Sequence, residues 1–155
     1  MYKKFLTIST LCLLTTLSYA STELCGGLRV RIRNYSANDC TLVNNFVING
    51  VTYHDTSVPS VIYRWQSVFF DIKKGSAPGR CDFSNVLTYQ CGDDHTISLY
   101  SMRFSGRHHG ILTDFSVLDA NHMSATPKEK KEDCDDWTSS YNYNTIEWTI
   151  NDLIN

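Results

Sequence analysis

The stretch Leu28-Arg29-Val30-Arg31-Ile32-Arg33 alternates apolar and basic side chains without a fault. Successive side chains of an extended chain point to opposite faces. Leu28, Val30 and Ile32 therefore share one face and the three arginines the other, as in a half-buried strand. Asn34-Tyr35-Ser36-Ala37-Asn38-Asp39 follows with turn chemistry. Working outward, Cys40 to Ile48 is a second apolar run, closed by Asn49-Gly50, a strong hairpin signal. A short strand is expected around Val51 to His54. Ser60 to Ile72 is apolar enough for one or two more, and the segment from Lys73 to Arg80 reads as a loop. Asn85–Cys91, a turn at Gly92-Asp93-Asp94-His95 and the returning Thr96–Phe104 form the clearest hairpin. Ile111–Leu118 and Thr145–Ile150 complete the set, with Ile146, Trp148 and Ile150 on one face. Asp119 to Asn144 reads as a loop, because its center is a mixed-charge run of the kind that faces water; one helical turn there is the alternative. Roughly eight short strands with turns every 8–12 residues predict an all-β, single-domain antiparallel β-sandwich stabilised by disulfides.

The chain has 155 residues, 42% hydrophobic and 19% charged, with a formal net charge of −2. That composition is globular, and the slight acidity argues against nucleic acid as the main partner. Lys3 and Lys4, the apolar stretch from Phe5 to Leu17, and Ser18-Tyr19-Ala20 have the layout of a secretory signal peptide. The expected division is a signal peptide at 1–20 and one domain at 21–155, secreted or periplasmic. Cleavage removes two lysines and no acid, taking the net charge from −2 to −4.

Five cysteines follow the expected cleavage point: Cys25, Cys40, Cys81, Cys91 and Cys134. Export favours disulfides, and an odd number leaves one thiol over. Cys81–Cys91 would close a hairpin and Cys25–Cys134 would tie the amino terminus to the late acidic loop, although spacing alone does not choose among pairings. There is no C-x-x-C or C-x-x-H pair, so neither a metal site nor a cofactor is expected.

Between Asn34 and Leu99 the chain resembles the sea-anemone actinoporins and their relatives. Ile32-Arg33-Asn34 with Ser36 looks like that family's first-strand ending, and Phe46 and Gly50 follow at similar spacing. Val58-Pro59 resembles its Leu-Pro step; Leu87-Thr88-Tyr89, Asp93, Thr96 and Ile97 resemble its central hairpin. The resemblance covers residues 28–104. It implies a β-sandwich that binds membrane headgroups, an architecture shared with fungal fruit-body lectins. The departures are as informative. Only Ser21 to Gly27 lie between the expected cleavage point and the first strand, where the family has a pore-forming amphipathic helix, and Gly26-Gly27 opposes a helix. The loop after the central hairpin, Gly106-Arg107-His108-His109-Gly110, lacks the family's aromatics, and the family usually lacks cysteine. Binding without pore formation is therefore the expectation.

Several constellations bear on that binding. Arg29, Arg31 and Arg33 form a basic stripe that holds phosphates or sialic acids, or is simply solvated, or pairs with acids across the strand. Trp137, Tyr141 and Tyr143 sit in a polar stretch, where aromatics suit headgroup or glycan contact or else fold back as a cap. These three, with Arg107 and His108 as polar partners, are the expected ligand contacts. His108 and His109 would hold a metal with Asp93 or Asp94 only if their loops converge, and would gain charge at endosomal pH; a plain surface loop is the alternative. Asp133, Asp135 and Asp136 resemble a calcium loop without its Gly and closing Glu. No G-x-S-x-G is present, and no catalytic residue is assigned. The sequence thus points to a non-enzymatic module for a membrane surface or glycan. The alternative is a protein-binding inhibitor or effector that uses the acidic run Glu132–Asp136 on a secreted partner protein.

Overall fold

The alternation at the start sets the middle of one sheet. A computed structural model describes residues 27–52, 57–74, 82–106, 110–130 and 144–153. The strands are β1 (Leu28–Asn34), β2 (Cys40–Ile48), β3 (Gly50–Thr52), β4 (Val61–Ile62) and β5 (Ser67–Lys74), then β6 (Phe83–Cys91), β7 (Thr96–Gly106), β8 (Gly110–Asn121), β9 (Met123–Lys130) and β10 (Asn144–Asp152). They form two five-stranded sheets, β3-β5-β1-β10-β9 and β4-β2-β6-β7-β8. The expected all-β sandwich is what the chain forms. Its pairs are antiparallel except one: β1 and β10 run parallel, joining the two ends of the described chain side by side.

Leu28, Val30 and Ile32 are fully buried. Val30 lies between Phe70 of β5 and Ile146 of β10; Ile32 lies between Val68 and Trp148. From the opposite sheet come Phe83, Leu87, Tyr89, Ile97 and Leu99. Trp148 crosses the interior and donates its indole N–H to Ser101 Oγ at 3.0 Å, with Phe115 edge-on to its ring. A buried Trp of this kind is worth about 3–5 kcal/mol against truncation.

Three sequence expectations are corrected. Asn49-Gly50 does not close a hairpin. β3 leaves the sheet of β2 and pairs with β5 in the other sheet, so the dipeptide is a corner between sheets. Gly50 is needed there for space, since a Cβ would meet Ile72 Cγ2 at 2.8 Å. The one or two strands expected at 60–72 are two, β4 and β5, on either side of a turn at Tyr63–Gln66. The segment from Asp119 is not loop throughout: β8 continues to Asn121, His122 turns with φ 55°, and β9 returns. β9 hid because it is a polar edge strand, with Met123 its one fully buried side chain and Pro127 tolerated on the open side.

The third correction concerns the cysteines. Cys91 bonds to Cys40, not to Cys81. The two residues are opposed in the β2–β6 ladder, so strand pairing brings together cysteines 51 positions apart in sequence. Cys25, Cys81 and Cys134 lie outside the described residues, and so does the expected Cys25–Cys134 pair. The bridge closes a segment of 51 residues, for which loop-closure entropy gives about 4 kcal/mol. Cys40→Ser with Cys91→Ser should lower unfolding stability by about 2–4 kcal/mol in urea titration. A loss under about 1 kcal/mol would show that ladder and core hold this corner without it.

Candidate binding site

The end of the sandwich that carries the β1–β2 connection is organised by Asn34. This side chain is fully buried at the last position of β1. Its Nδ2 donates to the Asn38 carbonyl at 2.8 Å and to the Ile62 carbonyl of the facing sheet at 3.0 Å. Its Oδ1 accepts from the Ser36 amide at 2.9 Å and the Ser36 hydroxyl at 2.6 Å. Every polar valence of the amide is used, as burial demands. The main chain at Asn34 is equally committed: its N–H donates to Gln66 O, and its carbonyl accepts from Trp65 N–H at 2.7 Å.

Those bonds hold a second turn, Tyr63-Arg64-Trp65-Gln66, closed by Gln66 N–H to Tyr63 O at 3.1 Å. Asp39 Oδ1 accepts from the Arg64 amide, fixing this turn to the first. Trp65 occupies the third position with φ 63°. Turns with positive φ there normally use Gly or Asn, and a bulky residue in that region is strained by about 1–3 kcal/mol. The strain presents the indole outward: Trp65 is 67% exposed and Tyr63 55%. Tyr35, 42% exposed, packs edge-on to Trp65 with ring centroids 5.6 Å apart. Three aromatics on two cross-braced turns form a rigid amphipathic cluster.

Charges flank it unevenly. On the side of β1, the Tyr35 hydroxyl and then Glu147 stabilise the Arg33 guanidinium and raise its pKa. On the other side, Asp39, Asp93 and Asp94 are exposed, and Asp152 accepts from the Ala37 amide. His95 and His122 meet edge-on at 5.6 Å at this same end. Among the described residues no group of three or more His, Cys, Asp or Glu could hold a metal ion.

The arginine stripe takes the paired alternative. Arg29 grips Asp71 with two bonds, 2.8 and 3.1 Å. Arg31 and Arg33 share Glu147, Arg33 through an Nη2 bond of 3.1 Å and an Nε contact of 3.0 Å that is an ion pair rather than an aligned hydrogen bond. The expected contacts Trp137, Tyr141, Tyr143, Arg107 and His108 lie outside the described residues. The strand ends that flank their segments, Gly106 opposite Gly110 and Lys130 opposite Thr145, stand at the end away from Trp65. Sequence reading missed Tyr35, Tyr63 and Trp65 because they were assigned to a strand or a generic turn. The one available signal was the loss of clean alternation at Tyr63–Gln66, where no Gly, Pro or Asn marks the turn.

With this geometry in place, comparison with known proteins is instructive. No protein-family model matches the chain, and no curated protein does. Solved structures do. The lipid binding protein Nakanori superposes with a TM-score of 0.53 at 11% identity, over 81% of this chain and 70% of its own. IP-1A from Alcaligenes faecalis gives 0.55 at 12% identity, over 84% and 94%. At such identities the likeness shows a shared sandwich fold.

Asn34→Ala should destabilise by about 2–4 kcal/mol, since it leaves buried partners unsatisfied. Trp65→Gly should change stability by less than about 1 kcal/mol, because relief of backbone strain offsets the lost ring contact. Urea unfolding of both variants checks this pair; equal losses would make Trp65 a structural residue.

Proposed function

We propose that the protein is an exported binding module that lays its Tyr35–Tyr63–Trp65 end against lipid headgroups at a membrane surface, acting by binding rather than catalysis. The observation that carries this reading is the strained, exposed Trp65. A fold does not hold an indole outward at positive φ for its own stability, and such outliers concentrate at binding sites. Aromatics with polar tips suit the headgroup layer, where one end of the ring is apolar and the other wet. The fold likeness to a lipid binding protein and the resemblance to a headgroup-binding family support the same class of ligand. The Cys40–Cys91 bridge supports an oxidising compartment, in keeping with a signal peptide at 1–20.

The test is co-sedimentation with liposomes of varied headgroup, together with dye release. Binding without release is expected for at least one composition. Trp65→Ala should weaken that binding about tenfold or more, the scale of an aromatic anchor, with the unfolding midpoint retained. Trp137→Ala, measured in parallel, asks whether the later aromatic stretch contributes. Unaltered binding by Trp65→Ala would move the site away from this end; absence of binding to every composition would remove the lipid reading.

A further inference from the structure

The outer face of the β3-β5-β1-β10-β9 sheet is a different surface from the aromatic end and carries a different chemistry. The ladder registers place Arg29, Arg31 and Arg33 of β1, Lys73 of β5, and Lys128 and Lys130 of β9 on this one face. The acids on the same face are Asp71 and Glu147. Six bases against two acids give +4 locally, on a chain whose formal net charge is −2. The ion pairs do not erase the excess: Glu147 serves both Arg31 and Arg33, and Lys128 stands opposite it in the ladder as a third cation. Lys128 and Lys130 are exposed. The concentration of positive charge on an otherwise acidic protein is the kind of segregation that recruits a polyanion.

The geometry is that of a lattice. Arg29 and Lys130 both stand in register with Thr145, and Arg31 and Lys128 both with Glu147. Cations thus recur every ~7 Å along the strands and lie ~10 Å apart across them. We infer that this face docks a sulfated polysaccharide, a linear polyanion whose charges project from a saccharide chain. Charge complementarity selects an anionic partner, and the chemistry of the face selects among anionic partners. Protein interfaces center on apolar anchors and are depleted in lysine, whereas the six cations here outnumber the exposed apolar side chains, Phe69 and Val51, and the Arg29 guanidinium lies over the Phe69 ring at 4.8 Å. Duplex DNA is read by elements that enter a groove, which a flat sheet does not do, and single strands need successive stacking aromatics. A chain of sulfated sugars needs neither. The inference is independent of the lipid reading, because it uses no residue of the aromatic end beyond the neighboring Arg33.

The experiment measures the full chain against heparin, neutral dextran and duplex DNA across a salt series. Heparin should bind at low salt, with affinity falling steeply as salt rises, and dextran should not bind. Lys128→Glu with Lys130→Glu should weaken heparin binding about tenfold or more, and Lys128→Gln with Lys130→Gln by an intermediate factor. Both pairs should retain the urea midpoint, since the side chains are exposed on an edge strand. Trp65→Ala should leave heparin affinity unchanged. Failure of the wild-type chain to bind heparin would overturn the inference, as would full binding by the charge-reversed pair. Duplex DNA binding as tightly as heparin at equal salt would overturn the polysaccharide assignment.

Discussion

A buried side-chain amide has to satisfy two donors and a carbonyl oxygen, and Asn34 of β1 does so with groups from the turn that follows it and from the facing sheet. The consequences run through one whole end of the sandwich. Nδ2 reaches Ile62 in the facing sheet, so the two sheets are fixed to each other at this corner. The Oδ1 bonds from Ser36 shape the first turn, and the Asn34 main chain holds Gln66 and Trp65 of the second. Cys40, which opens β2 just past the first turn, bonds to Cys91 and carries the same brace on into β6. The exposed aromatic trio is rigid because its scaffold is buried, fully bonded and cross-linked.

That arrangement separates stability from binding. The hydrophobic cluster of the core contains Trp148, and Trp65 is not part of it. Strain at Trp65 is tolerated because the Asn34 carbonyl and the edge-on Tyr35 ring fix the turn from two directions. Charge is separated as well. Acids gather on one side of the aromatic end, while bases gather on the outer face of the sheet built around β1. A protein that is mildly acidic as a whole thereby presents two surfaces of different chemistry.

Much of the architecture was legible in the sequence, and the reasons differ from element to element. β1 and β10 declared themselves because each buries one face, so their alternation is clean. The β6–β7 hairpin was marked by Gly92-Asp93-Asp94. β9 was invisible because an edge strand with little buried surface has no hydrophobic period, and with it went Lys128 and Lys130. The Asn49-Gly50 corner misled because local turn chemistry does not reveal which sheet the next strand joins. Cys40–Cys91 depended on a ladder register fixed only by folding. The aromatic end was not legible because its decisive feature, a Trp at positive φ, violates the local preference that sequence reading relies on. The cross-strand partners of the arginine stripe, by contrast, were among its three alternatives, because opposite charges pair readily across a ladder.

The claim that the Trp65 end meets the membrane is tested most directly by fluorescence depth measurement. The chain has three tryptophans, and Trp148 is buried in the core. In a Trp137→Phe variant the surface signal comes from Trp65. Bound to vesicles of a composition that co-sediments the protein, this variant should shift its emission to the blue, lose accessibility to iodide and be quenched by brominated acyl chains. A vesicle-bound protein whose Trp65 keeps full iodide accessibility and escapes bromine quenching would contradict the account and place the contact on another surface.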